Sequence, residues 1–95
     1  MTKIEVNMPR PQKKRYVCCE PKNDAFVPDG RSSGEKVVLT VDEYESLRLI
    51  DLEGYTQERC AEQMQVSRTT VQGVYDAARK KVADALVNGK RLLIR

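Results

Sequence analysis

Apolar positions along residues 57–78, QERCAEQMQVSRTTVQGVYDAA, recur at helical spacing on either side of a short break. Cys60, Ala61 and Met64 stand at i, i+1 and i+4, so a first helix has one apolar face, and Ala61 is small enough for a second helix to cross it closely. Val66 follows as a plug for the turn. Ser67 is placed to cap a second helix with its hydroxyl, and Val71, Val74, Tyr75 and Ala78 carry the apolar stripe onward. Two helices joined by a tight turn, with small, apolar and capping residues in this order, form the pattern of a DNA-binding helix-turn-helix. The competing reading is an ordinary helical hairpin with an idle outer face.

The same patterning extends to the rest of the chain. Thr40 with Glu43 is a capping-box signal ahead of a helix running to about Leu52, in which Tyr44, Leu47 and Ile50 line one side and Leu49 and Leu52 broaden it. Gly54 stops that helix and Thr56 caps the next. The second motif helix meets no stop signal before Asn88 and Gly89, so it runs for about 20 residues, or roughly 30 Å. On its wheel Val71, Val74, Tyr75, Ala78, Val82, Ala85 and Leu86 share one sector, with Thr69, Gly73, Asp76 and Lys80 opposite. Its first half can read DNA while its second half packs. Residues 91–95, RLLIR, read as a terminal strand, and Ile4 with Val6 offers it a partner in the same chain or in another. Residues 16–36, with Pro21, Pro28, Gly30 and Gly34, keep no period and read as a long irregular loop. The expected fold is mainly α, with an irregular arm and loop over residues 1–36, a three-helix domain over 37–90 and a C-terminal strand over 91–95.

Charge sharpens this picture. The chain has 95 residues and a net charge of +3, but residues 1–15 carry five basic and one acidic side chain, 16–56 four and nine, and 57–95 eight and four. The first and last blocks are therefore the candidates for a polyanion surface. Within the first, residues 7–15, NMPRPQKKR, combine two prolines with Arg10, Lys13, Lys14 and Arg15 and no core-forming run. They read as an extended arm that follows phosphates or enters a minor groove, or else as a plain soluble tail. With five aromatic residues and no Trp, the core must be built from Leu, Val, Ile and Ala.

Other chemistry is thin. No His is present, which removes imidazole acid–base catalysis and His-containing zinc sites, and no phosphate-cradling glycine loop follows a strand. The chain reads as a non-enzyme without a cofactor. Cys18, Cys19 and Cys60 are weak candidates for a metal or cluster, because adjacent cysteines lack the spacer that lets both face one ion and no fourth ligand is evident. A redox-active Cys18–Cys19 pair beside Lys13, Lys14 and Arg15 is the alternative, and Cys60 reads as a core residue. No apolar run reaches the length of a membrane span and no signal peptide follows the basic N-terminus, so the expected location is cytoplasmic.

The residues facing outward at the start of the second motif helix carry the functional expectation. Arg68 and Gln72 are placed to read base edges, Arg at guanine O6/N7 and Gln at adenine N6/N7. Ser67, Thr69 and Gln57 would set register on phosphates, with Arg79, Lys80, Lys81 and the basic arm adding nonspecific charge. A single such unit reads only a few base pairs, so a homodimer on double-stranded DNA is expected. The alternative is an interaction module whose partner is RNA polymerase or another protein, with the basic patches incidental.

The segments MPRPQKKRYVCCEP, VVLTVDEYESLRLIDLEGYTQE and QVSRTTVQGVYDAARKKVADALVNGK together resemble the small prokaryotic domain-of-unknown-function 134 family of predicted DNA-binding proteins, over most of residues 8–90. LRLIDLEGYTQERCAEQMQVSRTTV also resembles the fourth region of sigma factors, which reads the promoter −35 element through a helix-turn-helix. The resemblance implies a sigma-region-4-like α-helical domain, a basic N-terminal arm and a vicinal cysteine pair after it. Carried over residue by residue, its read-out positions are Ser67, Arg68, Thr69, Gln72 and Asp76. Two positions depart from a simple motif. Gln65 stands at the turn where many such proteins have Gly, and Gly73 lies inside the reading helix at a cost of about 1 kcal/mol relative to Ala.

Overall fold

In the computed structural model, which describes residues 24–95, Thr40 opens the helical part of the chain. Its hydroxyl accepts the Glu43 N–H at 3.3 Å while the Glu43 carboxylate accepts the Thr40 N–H at 2.8 Å, the reciprocal cap that the sequence signals. Helix α1, Val41–Leu47, then widens into a π-helical turn, Arg48–Leu52, in which the Glu53 N–H reaches the Arg48 carbonyl at 2.9 Å. This departs from the single α-helix expected to Leu52. The wider turn changes the phase of the residues after Arg48, so Leu49 is buried but Leu52 is 78% exposed and does not broaden the apolar face. Gly54, at φ 79°, ends the segment.

Helix α2, Gln57–Met64, and helix α3, Arg68–Asn88, follow, and the chain closes on a small sheet. Strand β1 is Ala25–Phe26, β2 is Lys36–Leu39 and β3 is Arg91–Ile94, in the order β1-β3-β2. β3 runs antiparallel to β1, with Phe26 opposite Leu92, and parallel to β2, with Leu39 opposite Ile94. All the helices therefore lie in the crossover between two parallel neighbours, β2 and β3. This corrects two expectations. The stretch expected to be irregular contains β1, and the terminal strand takes its partners from residues 25–39. With an edge given to each neighbour, β3 sits inside the sheet; Ile4 and Val6, its expected partner, lie outside the described residues.

Two apolar clusters share α3. Leu49, Cys60, Ala61, Met64 and Val71 form one, closed by Ile50, Tyr55 and Val66. Leu39, Ala78 and Ile94 form the other, with Tyr44, Leu47 and Leu92 against it. Burying each large side chain of these clusters stabilises the fold by about 1.5–3 kcal/mol. α3 thus has its first half fixed by α2 and its second half by the sheet and α1. Leu86, assigned to the packed sector by its position on the wheel, is 78% exposed, and among the described residues it joins neither apolar cluster. Glu45 is fully buried on α1, and its carboxylate is clamped by Arg48 through Nε at 2.8 Å and an Nη at 3.0 Å. Among the described residues no helix is long and apolar enough to cross a membrane.

Candidate nucleic-acid interface

Three capping events fix α2 and its turn into α3. Thr56 accepts the Arg59 N–H at 3.1 Å and starts α2. Gln65 ends it in the left-handed conformation, φ 56° and ψ 47°, with the Gln65 N–H on the Glu62 carbonyl at 3.2 Å and the Val66 N–H on the Ala61 carbonyl at 3.1 Å. This is the Schellman closure, and it drops Val66 onto the Leu49–Met64 cluster. Ser67 then accepts the Thr70 N–H at 3.1 Å and opens α3. The positive φ that would favour Gly at Gln65 is therefore present.

Capping and core packing together fix which side of α3 faces out. Val71 and Ala78 point inward, and Ser67, Arg68, Thr69, Gln72 and Asp76 lie exposed along the opposite side of the first three turns. The structure brings these five sequence-derived positions onto one surface. Gly73 lies on the same surface, and among the described residues nothing stands within 4 Å of where a Cβ would be, so none of their packing accounts for it. Arg68 Nε lies 3.0 Å from Glu58 Oε1, an ion pair between the first turns of α2 and α3. Gln57 is half-buried at the start of α2, and its Oε1 has no hydrogen-bond partner among the described residues.

The supporting cations divide. Arg79 lies 3.6 Å from Asp51 and 5.5 Å from the Tyr75 ring centroid, and the Tyr75 hydroxyl donates to the same Asp51 at 2.6 Å. That hydrogen bond, more than burial, raises the Tyr75 phenol above its ordinary pKa. Lys80 is exposed and makes no ion pair among the described residues. Lys81 turns the other way: its Nζ is 2.8 Å from Glu43 Oε1, against α1, so it does not add to the charge of that exposed surface as expected. Arg59 stacks on Tyr55 at 4.2 Å from the centroid, a cation near the turn that sequence reasoning left out. Glu58 and Asp51 were missed for a simple reason. Each meets its partner across a turn or between elements, where neither the 3.6-residue period nor a capping rule links the positions.

Cys60 is wholly buried, with its thiol donating to Met64 Sδ at 3.7 Å. Burial, helped by the nearby Glu45 charge, pushes the thiol up to about 11, so it stands as a protonated core side chain. Arg10, Lys13, Lys14, Arg15, Cys18 and Cys19 lie outside the described residues. Among the described ones no cluster of three or more His, Cys, Asp or Glu side chains could hold a metal.

A family model described as "Protein of unknown function DUF134" matches residues 4–95. The UPF0251 protein of Desulfitobacterium hafniense strain DSM 10664 / DCB-2 is 60% identical over 89 residues, which span 92% of this chain and 71% of that protein. A UPF0251 protein of Thermoanaerobacter pseudethanolicus is 53% identical over 89 residues, 92% of this chain and 75% of its own length. One of Clostridium botulinum strain Hall is 52% identical over the same share of this chain and 57% of its own. No solved structure matches the chain.

Proposed function

The chain belongs to the DUF134 family, and from that premise we propose that it is a sequence-specific DNA-binding protein, a transcriptional regulator whose α2–turn–α3 unit is a helix-turn-helix of the sigma-region-4 kind. One observation carries the proposal: Ser67, Arg68, Thr69, Gln72 and Asp76 share the exposed side of the first three turns of α3, whose opposite side is fixed in the core by Val71 and Ala78. A helix held in this way enters a major groove with its polar side chains already ordered.

Each side chain then has a chemical task. Glu58 pairs with Arg68 through Nε, and the terminal nitrogens of Arg68 would donate to O6 and N7 of a guanine. Gln72, one turn further along, pairs with adenine N6 and N7, and Asp76 accepts from cytosine N4. Ser67, Thr69 and Gln57 lie at the helix starts, where hydroxyls, an amide and backbone N–H groups meet phosphates. Lys80 adds exposed charge, and Arg79 adds charge shared with Asp51.

Fluorescence anisotropy of labelled duplex DNA titrated with the purified protein at several salt concentrations tests this. Binding whose log affinity falls linearly with log salt, and which tightens on one selected sequence over random duplex, is expected. A protein that binds no duplex even at low salt refutes the proposal and leaves the interaction-module reading, with RNA polymerase as the partner to test.

A further inference from the structure

Arg68 is held by an acid that comes from the other helix of the unit. Glu58 Oε1 lies 3.0 Å from Arg68 Nε, with Glu58 in the first turn of α2 and Arg68 as the first residue of α3, whose own first turn holds no acidic residue. The two side chains are 63% and 61% exposed, and neither belongs to an apolar cluster. Arg48 and Lys81 stand differently. They neutralise Glu45 and Glu43, whose side chains are 0% and 10% exposed, so there a cation is needed to keep a carboxylate out of water. An exposed pair adds little to stability, since water already solvates both charges. What the Glu58 carboxylate does fix is the place of the guanidinium. Nε is the guanidinium nitrogen nearest the backbone, and the Gln65 closure and the Ser67 cap set the two helix ends against each other.

We infer that Glu58 is a specificity-determining positioning residue, which holds Arg68 for a guanine edge and keeps it from the phosphates, a role that rests on the DNA-reading proposal. One contact has two effects. Docking a free arginine on a base immobilises a side chain with many rotamers, and a partner that has already removed those rotamers spares an ordering cost worth a factor of roughly 2–10 in affinity. Phosphate attraction depends on charge, whereas a guanine is read by donors directed at O6 and N7. A carboxylate at 3.0 Å therefore weakens the first more than the second. Both effects widen the gap between the selected sequence and random duplex, and both act at the base pair that Arg68 reads. Glu58 also stands at the positive end of α2, where an acid is favoured. That role alone would stabilise the helix and leave base discrimination untouched.

Two measurements test this role, the first without DNA. Heteronuclear NMR of the full chain is expected to show the Arg68 Nε–H bond ordered on the nanosecond timescale in the wild type and free in Glu58→Ala. Fluorescence anisotropy then compares wild type, Glu58→Gln and Glu58→Ala on the selected duplex, on that duplex with the guanine contacted by Arg68 replaced, and on random duplex at the same salt. Each variant is expected to bind random duplex at least as tightly as wild type and to lose roughly 2–10-fold of its preference for guanine at that position, with the preferences at other positions kept. In an Arg68→Ala background Glu58→Ala should change no preference, because Glu58 acts through Arg68. An Arg68 Nε–H already free in the wild type overturns the inference. So does a guanine preference that both variants leave unchanged, with or without a lowered melting temperature, or a loss that persists in the Arg68→Ala background. A wild-type chain that binds no duplex refutes the proposed function and takes this role with it, whereas wild-type binding whose preference ignores Glu58 refutes this role alone.

Discussion

Gln65 holds the turn of the candidate DNA-reading unit in a conformation that disfavours its own side chain, and replacing it with glycine should make the protein more stable. At φ 56° its Cβ crowds the following carbonyl, at a cost of about 1–2 kcal/mol for an L-residue. The side chain is exposed, so its removal forfeits little packing. The two N–H groups that close the turn, from Gln65 and Val66, belong to the backbone and survive the change. Against the relief stands the greater unfolded-state freedom of glycine, about 0.5–1 kcal/mol. The net expectation for Gln65→Gly is a gain of about 0–1.5 kcal/mol, or up to roughly 12 °C in melting temperature for a domain of this size. Gln65→Ala keeps the crowded Cβ and serves as the control, with little change expected. Urea and thermal unfolding followed by circular dichroism measure both. A destabilised Gln65→Gly, or a stabilised Gln65→Ala, would refute the left-handed closure of this turn and with it the fixed angle between α2 and α3.

Ser67→Ala removes the cap of α3 and should destabilise the protein by about 1 kcal/mol in urea unfolding. Replacing Lys13, Lys14 and Arg15 together with Gln should flatten the salt dependence of DNA affinity, by about 0.9 in slope for each phosphate that is no longer neutralised, and an unchanged slope would make those residues bystanders. Tyr75 should titrate above the ordinary tyrosine value of about 10, followed by ultraviolet absorbance. Because its proton is held more tightly in the folded state, the contribution of its bond to Asp51 is complete below that ordinary value and is lost as pH rises through the raised one; Asp51→Asn should bring the titration back toward the ordinary value. Cys60, with its thiol pushed up to about 11, should resist alkylation in the native protein at mildly alkaline pH and react only on unfolding, resolved by peptide mass mapping.

Local signals in the sequence carried much of the helical part. The Thr40–Glu43 box, the Thr56 and Ser67 caps and the Asn88–Gly89 stop each depend on residues within four positions of one another, and each stands where expected. What was illegible depends on distant partners. Ala25 and Phe26 are too short a run to alternate, and they become a strand only because Leu92 and Leu93 come back beside them. The same long-range pairing turns Val37, Val38 and Leu39 from a bare apolar run into an edge of the sheet. The π turn was hidden because Leu47, Leu49, Ile50 and Leu52 fit either helical pitch. Asp42, Glu43 and Glu45 are buried although no apolar pattern marks them, and the buried charge of Glu45 is tolerated through the i+3 position of Arg48. At the candidate site the sequence marked the five outward residues, while the Glu58 brace on Arg68 needed the angle between two helices.

DNA recognition by α3 is tested most directly with the Arg68→Ala variant, measured by anisotropy on the duplex sequence selected by the wild-type protein and on random duplex of equal length at the same salt. The predicted result is a loss of about 1–3 kcal/mol on the selected site with little change on random DNA. Equal loss on both would reduce Arg68 to a phosphate-binding side chain, and no loss on either would contradict the reading of α3 as the helix that recognises DNA.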